Sequence, residues 1–301
     1  MKKRIVPGPL KGVLSFVGFV VNTIFWVIPI FIVAFIKLIL PLPAWRKACD
    51  AVLNWLASNW IAVNNLNLLL VSGTRWDIRG IEGLKTDEWY LVVANHQSWV
   101  DILILQKIFH RKIPFLKFFL KKELIWVPVL GLAWWALDFP FMKRYSKTFL
   151  AKHPHLRGRD IEITRKACKK FETLPVSIMN FMEGTRFTSS KHKKQAAPYR
   201  HLLRPKSGGI AFVLSVMGDQ LNSIVDVTIV YPQGAGTFWD LISGRIRDIR
   251  VRVKLVPIGD EIRGDYFNDL AFRHSFQDWI NARWMDKDEQ IELLLNRPLS
   301  N

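Results

Sequence analysis

Trp89-Tyr90-Leu91-Val92-Val93-Ala94, running into Asn95-His96-Gln97-Ser98-Trp99-Val100-Asp101, is the stretch on which the reading of this chain turns. The first six residues are apolar and rich in β-formers, the pattern of a buried strand. Val100, Ile102, Leu103 and Leu105 then follow a helical pattern, so His96 stands where a strand gives way to a helix. Ser98 suits an N-cap, and Asp101, three positions on, falls where a capping box places its acid. On one continuous helix a spacing of five sets two side chains about 140° apart. His96 and Asp101 therefore meet only if His96 lies in the turn and its ring folds back over the first helical turn. Two readings follow. In one, the carboxylate fixes the imidazole tautomer and stabilises the imidazolium formed on proton uptake, as a general base requires. In the other, Asp101 completes a capping box and His96 is an ordinary loop histidine.

A second unit of the same kind lies downstream. Pro175 to Met182 reads as a buried strand and delivers Glu183-Gly184-Thr185-Arg186 at its end. In an open α/β sheet, functional groups collect beyond the carboxyl ends of the strands, where this tetrad and the histidine turn both fall. The plainer alternative for Glu183 and Arg186 is a local ion pair in a tight glycine turn. Further strands are expected at Arg75–Arg79, Ser223–Tyr231 and Ile249–Pro257. In the last, Arg250, Arg252 and Lys254 alternate with apolar residues, as on a sheet edge with one basic face. Ser189 to Ala197 lies in a run without acids and reads as a solvated, disordered loop, and Asp269 to Leu295 as an amphipathic helix. Ser146 to Lys170 is strongly basic and reads as helical from about Gly158.

Composition bounds the class of partner. The 301 residues carry 43 Lys and Arg against 25 Asp and Glu, a formal charge of +18, and half of them are hydrophobic. The many aromatic residues sit inside long apolar runs rather than in polar loops, which favours an anionic membrane surface over nucleic acid. The two cysteines, Cys49 and Cys168, permit neither a disulfide framework nor a zinc-ligand pattern, so no metal site is expected. Gly12 to Ile36 carries no charge and is long enough to cross a bilayer. Pro29 interrupts it, which predicts a kink or hairpin, and basic residues on both flanks leave its orientation open. Ala48 to Val71 reads as a helix lying on the membrane interface. The division expected is a membrane-anchoring segment, 1–71, followed by a domain from 72 to 301. From Arg111 to Arg144, apolar residues with basic beads read either as core with a solvated rim or as a lipid-contacting surface.

Taken together, four blocks resemble the glycerolipid acyltransferase family typified by the 1-acylglycerol-3-phosphate acyltransferases of the PlsC type. They are Asn-His-x4-Asp at Asn95, His96 and Asp101; Phe141-Met142-Lys143-Arg144; Phe181 with Glu183-Gly184-Thr185-Arg186; and Val227-Thr228-Ile229-Val230-Tyr231-Pro232. Finer matches, among them Lys121-Lys122-Glu123-Leu124 and Pro128-x-x-Gly131, are similar to the long eukaryotic lysophosphatidate and lysocardiolipin acyltransferases and to bacterial YihG-like proteins. The resemblance implies an α/β fold with a mixed, mostly parallel central sheet flanked by helices, behind an N-terminal membrane-embedded helical segment. It implies acyl transfer from acyl-CoA or acyl carrier protein to the sn-2 hydroxyl of lysophosphatidic acid or another lysophospholipid, at the cytoplasmic face of the inner membrane. It implies no cofactor and no nucleic acid; the alternative from a different class is a non-catalytic basic membrane-surface protein. His96 would be the base and Asp101 its orienter. Arg144 and Arg186 would hold the acceptor phosphate, with Glu183, Gly184 and Thr185 shaping that turn and Lys121 and Lys122 adding charge. Trp126, Gly131, Ala133 and Trp134, in an apolar segment between the first two blocks, are the expected walls of an acyl-chain tunnel.

Overall fold

The computed structural model describes residues 7–142, 171 and 174–298. Arg144, Lys143 and the basic stretch 146–170 lie outside the described residues. Among those described, six strands form one sheet in the order β1-β8-β7-β2-β6-β3, with β1 Arg75–Arg79, β2 Tyr90–Ala94, β3 Leu116–Phe118, β6 Ser177–Phe181, β7 Ser223–Val230 and β8 Asp248–Pro257. Every neighbouring pair is parallel except β7 with β8. A two-residue ribbon, β4 Leu120–Lys121 with β5 Phe141–Met142, stands apart from the sheet.

β2 is central and fully buried, and its alternation divides the core. Tyr90, Val92 and Ala94 join the apolar cluster on one face, and Leu91 and Val93 that on the other. The first cluster is covered by α3 (Val100–Phe109), α4 (Leu130–Ala136), the short α7 (Phe238–Ile242) and two N-terminal helices. The second is covered by α6 (Gly208–Met217) and α8 (Leu270–Asn296). A strand buried on both sides needs a continuous apolar run, which is how β2 reads.

The N-terminal helices are α1 (Gly8–Ile39) and α2 (Pro43–Val71). α1 continues as helix through Pro29, and the hairpin reversal falls at residues 40–42. A proline costs the helix one hydrogen bond, which the apolar residues on either side outlast. The two helices pack antiparallel. Asn22 Nδ2 donates to Asn64 Oδ1 at 2.9 Å, Asn67 Nδ2 to Ser15 O at 2.8 Å, and Lys37 Nζ lies 2.5 Å from Asp50 Oδ1. One face of the hairpin, with Ile30, Leu53, Leu56 and Leu68, is buried in the first cluster. The other stays bare: Leu14, Val21, Phe25, Ile28 and Phe35 are each more than half exposed. α1 is long and apolar enough to cross a membrane.

Two sequence expectations are corrected. Residues 189–195 form a helix, α5, rather than a disordered loop; Thr188 caps it by accepting from Lys191 N, and His192 Nε2 bonds Tyr199 O at 2.6 Å. Local capping outweighs the basic charge of this run. β8 is not an edge strand, since β1 pairs alongside it. Of its three basic residues, only Lys254 is exposed. Arg250 is buried, pairs with Asp248 at 3.0 Å, and donates to Leu294 O and, at 2.8 Å, to Arg297 O. It therefore closes the carboxyl end of α8, where a cation meets the unsatisfied carbonyls and the negative end of the dipole.

This pair makes a test of the fold. Arg250→Met leaves Asp248 buried and uncompensated, and should destabilise the protein by about 3 kcal/mol. Arg250→Met with Asp248→Asn should recover most of that loss in chemical denaturation.

Candidate active site

Strand register builds the site. Ala94 of β2 pairs with Phe181 of β6, so two residues beyond each strand His96 and Glu183 stand opposite one another. His96 N donates to Glu183 Oε1 at 2.9 Å, and Phe187 N to His96 O at 2.7 Å, which ties the two turns together. On the other side Asn95, fully buried, uses its carboxamide as a surrogate peptide group. Its Oδ1 accepts from Ile229 N and its Nδ2 donates to Ile229 O, both at 2.9 Å. This needs a donor and an acceptor on one side chain, which Asn has and Asp lacks.

The ring of His96 does fold back. Its Nδ1 lies 2.8 Å from Asp101 Oδ2, and it stacks on Phe181 with ring centroids 3.8 Å apart. Asp101 has no exposed surface. Its Oδ2 also accepts from Gln97 N at 2.6 Å and Ser98 N at 2.9 Å, and its Oδ1 accepts from the hydroxyl of Tyr231. The dyad and the acid's bond back to the Ser98 backbone are thus one structure: the same oxygen holds the Ser98 N–H and the imidazole. Ser98 Oγ accepts from Val100 N at 3.2 Å and donates to Gly236 O at 2.5 Å. With Nδ1 engaged by Asp101, Nε2 is the nitrogen left to take a proton.

Glu183 is fully buried and does not pair with Arg186. Its second oxygen accepts from Leu203 N at 3.1 Å. Burial pushes its carboxyl up to about 7, against the pull of these two N–H groups; the nearby Asp101 adds to the rise and Lys287 opposes it. Burial, with Asp101 beside it, also pushes the Tyr231 hydroxyl well above its ordinary value, so that it donates as a neutral phenol. Gly184 has φ +66°, a left-handed turn that suits glycine. A Cβ there would meet the Lys206 side chain, whose Nζ would be 3.3 Å away. Lys191 Nζ bonds Thr185 Oγ1 at 2.7 Å and Arg186 O at 3.0 Å, and the Arg186 guanidinium lies over the Trp99 ring at 5.0 Å. A cluster of cations therefore faces the turn beside the histidine.

The remaining predicted positions divide. Lys121 and Lys122 are exposed, on the ribbon and the 3-10 turn after it. The ribbon follows directly on Phe118, whose ring stacks with Phe181 at 6.4 Å. Of the positions expected to wall a tunnel, Trp126 is 84% exposed, while a Cβ on Gly131 would lie 2.1 Å from the Ile125 carbonyl oxygen. Gly131 is small so that α4 can close on the preceding turn. Ala133 is buried, and Trp134 packs against the first core cluster. Sequence reasoning gave no role to Tyr231, Asn95, Leu203 or Lys287; the first two stand inside recognisable blocks, and the last two carry no local signal.

A family model described as Acyltransferase matches residues 75–232. The chain belongs to the acyltransferase family. Its sequence is 24% identical over 290 residues to lysocardiolipin acyltransferase 1 of Gallus gallus, covering 92% of this chain and 70% of that one. It is 24% identical over 217 residues to 1-acyl-sn-glycerol-3-phosphate acyltransferase gamma of Mus musculus, covering 68% of this chain and 53% of that one. The chain thus spans only part of these relatives' length. Its fold is similar to the crystal structure of the 1-acyl-sn-glycerophosphate acyltransferase PlsC from Thermotoga maritima, with a TM-score of 0.57, 16% identity, and coverage of 97% of this chain and all of the other. It is a glycerolipid acyltransferase by family, and it carries a long apolar helix whose outer face is bare.

Two measurements follow. The Glu183 carboxyl ionises more readily unfolded than folded, so its contribution to stability is present below about pH 4.5 and is lost as pH rises towards 7. Between those pH values wild type should lose roughly 3 kcal/mol relative to Glu183→Gln, read by denaturation across pH. Gly131→Leu must push backbone aside; it should lower the melting temperature, by about 1–3 kcal/mol of stability, and reduce turnover equally along a ladder of acyl-CoA lengths.

Proposed function

We propose that this protein transfers a fatty acyl chain from a thioester, acyl-CoA or acyl carrier protein, to the sn-2 hydroxyl of lysophosphatidic acid. The observation that carries this reading is the buried Asp101 carboxylate on Nδ1 of His96, with Nε2 left to act beside a cationic turn. His96 Nε2 takes the proton of the acceptor hydroxyl as its oxygen attacks the thioester carbonyl. Asp101 holds the tautomer and stabilises the imidazolium; the proton then passes to the departing thiolate. Arg186, with Lys191 and Lys206 near it and Arg144 from the second block, binds the acceptor phosphate, which a guanidinium fork fits. Residues 1–71 anchor the domain formed by 72–301 to the cytoplasmic face of the inner membrane, where its thioester donors are made. Other lysophospholipids remain as acceptors to compare, since the Gallus gallus relative is named for lysocardiolipin.

The test is an assay of purified protein with acyl-CoA and a panel of lysophosphatidate, lysocardiolipin and monoacylglycerol. Lysophosphatidate should be the best acceptor. His96→Ala should abolish transfer and Asp101→Asn slow it by about 100-fold. Arg186→Ala should raise KM for lysophosphatidate about tenfold and leave monoacylglycerol unchanged. Wild-type turnover in His96→Ala would sink the mechanism; equal use of monoacylglycerol would sink the acceptor.

A further inference from the structure

The buried stripe of α8 runs Phe276, Ile280, Trp284, Lys287, Ile291, Leu294, at the spacing by which a helix faces a core. A lysine in that stripe is costly, since an ammonium group gives up its hydration. Lys287 is 3% exposed, and its ammonium group meets two hydrogen-bond acceptors and one carboxylate. Nζ donates to Val227 O at 2.8 Å and Thr228 Oγ1 at 3.1 Å, and lies 2.5 Å from Asp226 Oδ1, off the hydrogen-bond direction. All three belong to β7, which pairs with β2 just before the histidine turn.

One turn away, Trp284 Nε1 donates to Leu203 O at 2.9 Å. Leu203 is the residue whose N–H bonds Glu183. The neighbouring Asp288 accepts from Arg200 N and His201 N, at 2.7 and 2.8 Å, and Lys206 N donates to Met182 O at 2.8 Å. The segment 200–206 is thus stitched to α8 on one side and to the end of β6 on the other. α8 lies wholly beyond residues 75–232, which the family model matches.

We propose that Trp284 and Lys287 are positioning residues for acyl transfer: α8 holds the Leu203 peptide and the end of β7 so that Glu183 keeps the backbone of His96 in place. This rests on the reading of His96 as the base. Each Glu183 oxygen accepts an N–H; a protonated carboxyl would turn its O–H against one of them and loosen either His96 or Leu203. The charged groups around Glu183 are Asp101 and His96 from the first turn, Arg186 on its own turn, Lys206 above Gly184, Asp226 on β7 and Lys287 on α8. Lys287 is the buried cation among them, and it favours the ionised carboxyl against burial and Asp101.

The test uses the full chain in detergent with Lys287→Met, Lys287→Gln and Trp284→Phe, each sized for the stripe. Two readouts are taken: kcat/KM against pH with acyl-CoA and lysophosphatidate, and the infrared titration of the Glu183 carboxyl, identified by difference from Glu183→Gln. Both Lys287 variants should move the carboxyl titration, and the acid limb of kcat/KM with it, up by about one pH unit. Trp284→Phe should lower kcat about tenfold with KM for acyl-CoA unchanged. A uniform fall at every pH that follows melting temperature, with the Glu183 titration unmoved, overturns the proposal. If Lys287→Met does not fold, Lys287→Gln, which keeps neutral donors, gives the same readouts; failure of both to fold makes Lys287 structural and also overturns it. Wild-type protein that acylates no lysophosphatidate sinks the functional reading, while the infrared shift still decides the role of Lys287.

Discussion

Two carboxyl groups, those of Asp101 and Glu183, are buried within electrostatic reach of one another at the ends of the strands, and the surrounding structure is arranged to make that tolerable. A buried carboxylate without partners costs several kcal/mol. Asp101 answers locally: three of its four donors come from residues 96 to 98, in the turn that its own helix begins. Glu183 answers at a distance, taking one N–H from the first turn and one from Leu203. Glu183 is therefore satisfied only when the two turns are docked. That docking brings the histidine and the basic turn into one site.

This difference explains how much of the site was legible in the sequence. Asp101 and His96 are five residues apart, and the strand-to-helix change around them is strong, so the turn and its chemistry follow from local pattern. The strand bounds are legible for a similar reason: Gly73 and Gly80 bracket β1, and β7 is a mostly apolar run. Tyr231 was visible only as part of an apolar strand ending in Pro232; nothing local says that its hydroxyl reaches Asp101. Lys287 reads as one more charge on an amphipathic helix, and its burial depends on β7 lying beneath it. Arg250 misled for the converse reason: alternation in β8 reports a polar face, but only tertiary packing says whether that face meets water or the end of a helix. Gly131 carries two readings in sequence, because smallness is the same signal for a passage and for a close contact; its Cβ position favours the contact.

Attachment to the membrane obeys a similar constraint. α1 presents apolar residues all along its outer face, and water offers them nothing. Its inner face is fixed to the domain by packing in the first core cluster and by Lys37, which pairs with both Asp50 of α2 and Asp138 beyond α4. A helix joined this firmly cannot swing free of the sheet, so the lipid surface and the carboxyl ends of the strands keep a fixed relation. On the proposed reading, in which the acceptor is a membrane lipid, that relation shortens the search for the substrate to the plane in which it already lies.

The hydrogen bonds of Ser98 bear on the order of the chemistry. A serine two residues from a histidine and within its turn invites an acyl-enzyme route, in which the hydroxyl carries the acyl group between donor and acceptor. Here the hydroxyl gives its proton to Gly236 O and accepts from Val100 N, and Ser98 has little exposed surface. Turning it toward a thioester would break both bonds and open the first turn of α3, which also holds Asp101. The imidazole nitrogen facing that side, Nδ1, is already occupied by the carboxylate. On the proposed reading, then, the base has Nε2 left to act and Ser98 is not a nucleophile for it to serve. The acceptor hydroxyl is the group it activates, and transfer from thioester to glycerol proceeds in one displacement at the carbonyl.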